Sequence, residues 1–598
     1  MLPSVIVLLC VSAVPKQTIH VALDPATGTL AGTSVIAPDG EPGCFLQLPP
    51  GANITAMQPE NFDTSVAIPA DQTVRVSWEG VYRDDIASGE VAGQIHNFSV
   101  DAHIGEDGIF LSDNAPWFPQ LVDGEGQPIL RLIDLSMEPL EGWTCVGSGD
   151  PTCNAPMEVP CLGWAMPRPV EGVALVGNAY GGEGRIVHTP AGPVEVVAIL
   201  SPEHADKVDF YLDAAESYLD LYTPLLGAYP FRRFTIVENF FSSGFAFPGF
   251  TVLGPRVVGM APRSLAPGYL DHELLHAWWG NGVYVDAKDG NWCEALTSYC
   301  TNYGRRILED GADAGRTYRR GLLNKVSLDP TLDNGALGDF GSADPSGNGP
   351  DRFVGYDKGA FVFMMLEDTL NGGAVTDASQ SAIWPVLSRF ASDNMGQRVT
   401  WSALQAAAEA ERPELEAGWL NDFFRRWVRE HTVPAFGDEN WVENDSDYRF
   451  YQLLPPWQIS PTIAGTLQGA EVVADDAPQS AGAWLADVDR GDNLLLIGPE
   501  AIASHADLLG RCADPIVFNG RGFSVGGVDY RGDDLAVLHT MGHPDEPGRF
   551  ITLFCPIGKG GWDRLRLIWY YGKDTTVIWN ASETLLRRVY EPAAEIEQ

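Results

Sequence analysis

The sequence predicts a multidomain α+β protein: antiparallel strands first, a mainly helical middle, and a small α/β region last. Length is the first reason. At 598 residues the chain exceeds what one hydrophobic core organises, since chains beyond about 250–300 residues divide into domains. Periodicity is the second, because apolar residues alternate early and shift to helical spacing near Pro202. Composition is the third. With 45% hydrophobic and 20% charged residues, the chain has the makeup of a packed globular protein and not of a disordered one.

Residues 14–199 carry short apolar runs at His20–Leu23, Phe45–Leu48, Thr73–Trp78 and Val194–Ala198, separated by Gly, Pro, Asp and Asn clusters. That is the pattern of an antiparallel β domain. Residues 200–434 begin with Val208, Tyr211, Leu212, Ala215, Tyr218, Leu219 and Tyr222 on one helical face. Further helices are expected at Gly268–Gly280, Trp292–Leu308, Ala314–Leu328, Lys358–Leu370 and Trp401–Ala410, with strands at Phe234–Glu238 and Phe250–Leu253. Residues 435–598 mix strand-like runs at Asn493–Ile497, Leu535–His539, Phe550–Phe554 and Leu565–Tyr571 with a helix at Ala501–Leu509.

The formal charge is −42, from 80 acidic and 38 basic residues. So acidic a surface repels nucleic acid and anionic membrane. Residues 1–13 contain an apolar stretch, Val5–Val11, too short to span a bilayer. With Val11-Ser12-Ala13 after it, the stretch resembles a secretory signal, so export to a periplasmic or extracellular space is expected. Cys10 is a candidate lipid-anchor residue, and no integral membrane span is expected elsewhere. Export makes disulfides an expectation among the cysteines clustered at 145, 153 and 161 and at 512 and 555, with the pairing open. Cys293 and Cys300 read as buried packing residues.

Chemistry concentrates in Asp271-His272-Glu273-Leu274-Leu275-His276-Ala277-Trp278-Trp279-Gly280-Asn281. Histidines four apart on a helix lie one turn apart on one face, so their rings can converge on one ion. Glu294 follows 18 positions after His276, just beyond a Gly290-Asn291 turn and cap. Two imidazoles and a carboxylate fill three corners of a zinc tetrahedron and leave the fourth for water. Glu273 is placed to reach that water as general base. A structural histidine pair and a capping glutamate are the alternative readings. Tyr356, in Gly355-Tyr356-Asp357-Lys358-Gly359-Ala360, offers a hydroxyl for a developing oxyanion.

Together, the His272–His276 motif, Trp292-Cys293-Glu294, Tyr299 and Tyr356–Ala360 resemble the gluzincin zinc metallopeptidases of the aminopeptidase N family. The likeness covers about residues 18–435 and extends to Val21–Asp24, Leu30–Gly32, Gly108–Leu111 and Trp117–Pro119. It implies an N-terminal β-sandwich before a thermolysin-like catalytic domain, with one Zn2+ held by His272, His276 and Glu294. It further implies Glu273 as base and Tyr356 as oxyanion partner, with a peptide or protein as substrate.

Two departures stand out. One residue fewer separates His276 from Glu294 than is usual in that family. The stretch matching the family's amine-binding motif reads Gly244-Phe245-Ala246-Phe247-Pro248-Gly249, with Ala246 where a glutamate is expected. Gly244, Phe245, Ala246 and Phe247 are therefore the expected substrate strand, without the usual anchor for a free amino terminus. Glu238 is a candidate substitute, and Phe245 and Phe247 read as an apolar subsite or as core. The alternatives carried forward are a zinc hydrolase of epoxides or esters on the same scaffold and a non-catalytic binding protein.

Overall fold

The computed structural model describes residues 14–589, except 61, 87–99, 154–160, 343–348, 374–376, 435–447, 455–457, 468, 475, 486–487, 489 and 547. The expected leader, with Cys10, lies outside the described residues. No helix among the described residues is long and apolar enough to cross a membrane. The chain forms two compact units, Met1–Gly315 with Asn334–Thr432, and Arg316–Asp333 with Val433–Gln598.

In the first unit, strands Lys16–Asp24 and Thr29–Ala37 form a hairpin within a seven-stranded sheet. Alternate residues Gln17, Ile19 and Val21 turn inward, as one buried face requires. The sheet is not wholly antiparallel as expected: Lys16–Asp24 pairs parallel with Leu132–Met137. A parallel neighbour needs a long connection, and the chain between residues 37 and 132 supplies it.

A second sheet of five strands runs in the order Gly182–Thr189, Gly192–Ile199, Arg233–Glu238, Phe250–Leu253, Gly244–Phe247. Gly192–Ile199, Arg233–Glu238 and Phe250–Leu253 are parallel neighbours, and the helix Val208–Leu226 makes the first crossover. The expected boundary after residue 199 thus falls inside a set of hydrogen-bonded strands. Every residue of Arg233–Glu238 is buried, as in a parallel strand covered on both faces. Gly244–Phe247 is the edge, antiparallel to Phe250–Leu253. Its turn, Pro248-Gly249, has φ +86° at Gly249, a position that favours glycine after proline.

The helical part holds Leu270–Leu275, Cys293–Ser298, Gly359–Asn371, Ile383–Asn394 and Trp401–Glu409. The first is shorter than the expected Gly268–Gly280. Tighter bonds from Ala277 N to Leu274 O and Trp278 N to Leu275 O wind it down. Ile383–Asn394 is a further helix beyond those named from the sequence, with Pro385 in its first turn, where proline is tolerated. Cys293–Ser298 lies close against Gly359–Asn371: a Cβ on Gly359 would stand 2.5 Å from Ala295 Cβ. Helical bonding widens to π type at Tyr299–Gly304 and at Phe353–Lys358, and π turns concentrate at functional sites.

In the second unit, six strands run in the order Ala470–Val473, Asn493–Ile497, Phe550–Ile557, Leu535–Gly542, Thr576–Trp579, Thr584–Arg588. The first three are parallel and the rest antiparallel. Leu565–Tyr571 is not a strand. It lies in a 3-10 helix, Trp562–Tyr571, with Leu565 and Ile568 buried at the three-residue spacing of that helix. The helix expected at Ala501–Leu509 is divided into Pro499–Ser504 and Ala506–Leu509 at His505.

Candidate metal centre

The segment before His272 is held by one carboxylate. Asp271 is fully buried, and its Oδ1 accepts the backbone N–H groups of Gly268, Tyr269 and His272 at 2.9, 3.0 and 3.1 Å. Its Oδ2 accepts from Arg305 Nη1 at 3.2 Å. Arg305 also bonds Glu309 and lies 4.7 Å from the Tyr218 ring centre. The start of the His272 helix is thereby pinned to the helix that follows Glu294. Sequence reading quoted Asp271 without giving it a role.

The helix brings His272 and His276 to a ring-centre distance of 4.7 Å with planes at 86°. His276 Nδ1 lies 3.0 Å from the Trp279 carbonyl. A carbonyl only accepts, so Nδ1 carries the proton and Nε2 is left with its lone pair facing the site.

Glu294 arrives from the helix Cys293–Ser298. Asn291 Oδ1 accepts the Cys293 N–H at 2.9 Å and starts that helix. The carboxylate reaches across: Oε2 lies 3.1 Å from His272 Nε2 and 3.9 Å from His276 Nε2. The three side chains are only 12%, 19% and 13% exposed for His272, Glu294 and His276. Burial alone would raise the Glu294 pKa, but His276, His272 and the Tyr356 hydroxyl outweigh it and bring it to about 2. Burial acts against His272 too, yet the bond to Glu294 raises its pKa overall.

These donors fit a zinc ion. Ligand atoms about 2.1 Å from a tetrahedral centre stand about 3.4 Å apart, and the two measured gaps bracket that value. One ligand atom from each residue lies within 4.8 Å of the others, and this is the one such group of three or more His, Cys, Asp or Glu among the described residues.

Glu273 follows His272 and is partly exposed. Its carboxylate has no hydrogen bond or ion pair among the described residues, whereas Asp271 and Glu294 are both engaged. Tyr356 lies 6.0 Å from His272 between ring centres, at 17°, close enough to Glu294 to feel its charge. Burial, then the charge of Glu294, push its pKa above the ordinary value. Arg352, one helical turn earlier, lies 4.1 Å from the Tyr356 ring centre. Sequence reading passed over Arg352, though the spacing of four was its signal.

The expected substrate strand lies at a sheet edge, and the His272 helix packs against it. Phe247 is core, 4% exposed and packed with Phe250 at 5.0 Å. Phe245 stacks on Phe247 at 6.0 Å. Asn281 Nδ2, at the end of the histidine motif, donates to the Ala246 carbonyl at 3.2 Å. Glu238 does not substitute for the missing glutamate. It is 2% exposed and accepts from Ser201 N, Ser201 Oγ and His204 Nδ1 at 2.8, 3.0 and 2.8 Å.

No family model and no curated protein sequence matches the chain. Solved structures do. An M1 zinc metallopeptidase from Deinococcus radiodurans superposes with a TM-score of 0.51 at 15% identity, covering 71% of this chain and 95% of its own. A mutant two-domain M1 zinc metallopeptidase bound to L-arginine gives 0.51 at 16% identity and the same coverage. A mutant of the D. radiodurans enzyme with a Tyr-Ser-Ala substrate gives 0.50 at 16%, again covering 71% and 95%. The chain has the fold of the two-domain M1 zinc metallopeptidases.

Proposed function

We propose that the chain is a zinc metallopeptidase of the gluzincin type. The observation that carries this is the convergence of Glu294 on both imidazoles while the neighbouring Glu273 carboxylate stays uncommitted. His272 Nε2, His276 Nε2 and Glu294 would hold one Zn2+. Bound there, zinc polarises a carbonyl and acidifies a water at the open position. Glu273 takes the proton from the attacking water and returns it to the departing amine. Tyr356 donates its hydroxyl hydrogen to the oxygen anion that develops on the attacked carbonyl. The domain reading that accompanies this is an N-terminal β-sandwich, a thermolysin-like catalytic domain and a small C-terminal α/β domain.

The substrate class follows from charge. Ala246 brings no carboxylate to the strand, and Glu238 is committed to Ser201 and His204. Nothing at either position pairs with a positive amino terminus, so peptides with blocked or internal bonds are cleaved as well as free ones. The position of Gly244–Phe247 at the end of its sheet supports pairing with an extended peptide backbone. The bare Ala246 position equally favours a second reading, hydrolysis of an uncharged ester or epoxide.

The test is zinc analysis of the purified protein together with a peptide library carrying free and acetylated amino termini. One zinc per chain and cleavage of acetylated members are expected. Cleavage restricted to free amino termini refutes the substrate assignment and leaves the peptidase standing. Bound zinc with ester or epoxide turnover and no peptide cleavage selects the second reading. Absence of both zinc and hydrolysis returns the protein to a binding role.

A further inference from the structure

The turn that carries Tyr356 also carries a cation. Arg352 stands four positions before Tyr356, at the start of the π-type turns Phe353–Lys358. Residues four apart share a helix face, and the Arg352 guanidinium carbon lies 4.1 Å from the Tyr356 ring centre. Tyr356 in turn stands 6.0 Å from the His272 ring centre. Those two steps together are no longer than about three residues of extended chain, at roughly 3.3–3.6 Å each. A peptide lying across the histidines therefore has a residue within reach of Arg352.

Two glycines fix where this turn sits. A Cβ on Gly355 would stand 2.2 Å from the Phe340 ring, and that ring packs edge-on against Tyr356 at 6.0 Å and 81°. A Cβ on Gly359 would stand 2.5 Å from Ala295 Cβ, beside Glu294. Arg352 itself is exposed, and its guanidinium makes no hydrogen bond or ion pair among the described residues; what it touches is the Tyr356 ring. Acidic residues outnumber basic ones 80 to 38, so carboxylate partners are plentiful in this chain. Arg305, beside the same cluster, is held by Asp271 and Glu309. A guanidinium lying over a ring uses its flat face there and keeps its N–H fork for the two oxygens of a carboxylate.

We propose, on the footing of the peptidase reading, that Arg352 is a specificity residue that takes a carboxylate of the substrate. The site then prefers peptides with an anionic group within about three residues of the bond cleaved. Where Ala246 withdraws the negative charge that would hold an amino terminus, Arg352 supplies a positive one. An Asp or Glu side chain and a carboxyl terminus present the same two oxygens to it.

The test measures binding and cleavage separately. One set of probes is acetylated, amidated alanine hexapeptides with a single Glu, or a single Gln, at each position in turn. The other is the acetylated all-alanine hexapeptide with a free or an amidated carboxyl terminus. Binding is read by calorimetry on the zinc-supplemented full chain carrying Glu273→Gln, which leaves the probes intact. Glu members should bind about 10-fold more tightly than their Gln partners at one or two positions. Adding Arg352→Ala should bring each pair within twofold and leave the Gln members where they were, and Arg352→Lys should keep part of the preference. A preference confined to the second set assigns the carboxyl terminus as the source. Equal or unmeasurable binding throughout, or a preference that survives Arg352→Ala, overturns the proposal. So does a loss equal for Glu and Gln members, which makes Arg352 a support for the Tyr356 ring. Cleavage by the unaltered chain tests the reading beneath: a carboxylate preference in binding with no peptide cleaved keeps the anchor and removes the peptidase.

Discussion

Replacing Glu294 by Gln tests the metal centre most directly. The side chain keeps its shape, and its amide oxygen can still face the His272 ring 3.1 Å away and the Tyr356 hydroxyl. What it loses is the negative charge and the strong donor character of a carboxylate. The starting geometry is nearly closed: gaps of 3.1 and 3.9 Å need shifts of only a few tenths of an ångström to reach the roughly 3.4 Å of a tetrahedral site. Little binding energy is therefore consumed in reorganising the wild-type ligands, and most of the carboxylate's contribution is expressed as affinity. Removing a group that merely supports a ligand costs about 10–100-fold in metal affinity. A direct ligand must exceed that, so Glu294→Gln should weaken zinc by at least about 100-fold, or about 2.7 kcal/mol. Competition against a chelator of known affinity at neutral pH measures it, with circular dichroism of the metal-free forms to show equal folding. A zinc affinity within threefold of wild type would remove Glu294 from the ligand set, and with it the hydrolase reading.

The other groups have separable signatures. Glu273→Gln should retain full zinc and lower kcat by about 100–10,000-fold, the range for a lost general base; metal analysis alongside kinetics checks both halves. Tyr356→Phe should lower kcat by about 100–1,000-fold with a small change in KM, and a raised KM with kcat unchanged would make it a binding residue instead. Asp113 provides a pH test remote from the metal. Burial, then the neighbouring Glu171, raise its pKa from 3.8 to about 6. A raised carboxyl favours the folded state while protonated, so its contribution is lost as pH rises from about 4 to about 6. Asp113→Asn should therefore raise the melting temperature at pH 8 and leave it little changed at pH 4, the stability gained at pH 8 being at most about 3 kcal/mol before solvent screening of this partly exposed group. Differential scanning calorimetry at the two pH values reads the difference.

The clustering of His272, His276 and Glu294 was legible because a four-residue spacing is itself geometric. Once His272 and His276 are on a helix, their rings share a face whatever surrounds them. Glu294 was legible from the turn that precedes it, since Gly290 and Asn291 set the start of its helix. The support beneath was not. Asp271 and Arg305 are 34 positions apart, and no local pattern announces a pair that only tertiary packing joins. Parallel pairing of Lys16–Asp24 with Leu132–Met137 was hidden for the same reason, because alternation reports which face is buried and not the direction of the neighbour. Leu565–Tyr571 misled because a short apolar run satisfies a strand and a tight helix alike, and the buried pair Leu565 and Ile568 fits a period of three.

On the proposed reading, metal chemistry and substrate choice are separable in this chain because different elements would carry them. The proposed ligands and Glu273 come from two helices locked by Asp271 and Arg305, so the geometry of that cluster does not depend on what the edge strand offers. The strand instead is fixed by its own packing: Phe247 is core, and the Ala246 carbonyl is tied to Asn281 at the end of the histidine motif. Side-chain identity at position 246 is therefore free to vary without disturbing the strand's path. Alanine there withdraws the charge that would select an amino terminus while leaving a backbone edge on which an extended chain can lie. Glu238 cannot restore that charge, because freeing it would leave Ser201 and His204 without their shared acceptor in a buried site. Under the proposed function, selection by main-chain pairing would not require the scissile bond to be next to a free end, and the lack of an amine anchor would follow from one side chain rather than from a rebuilt site.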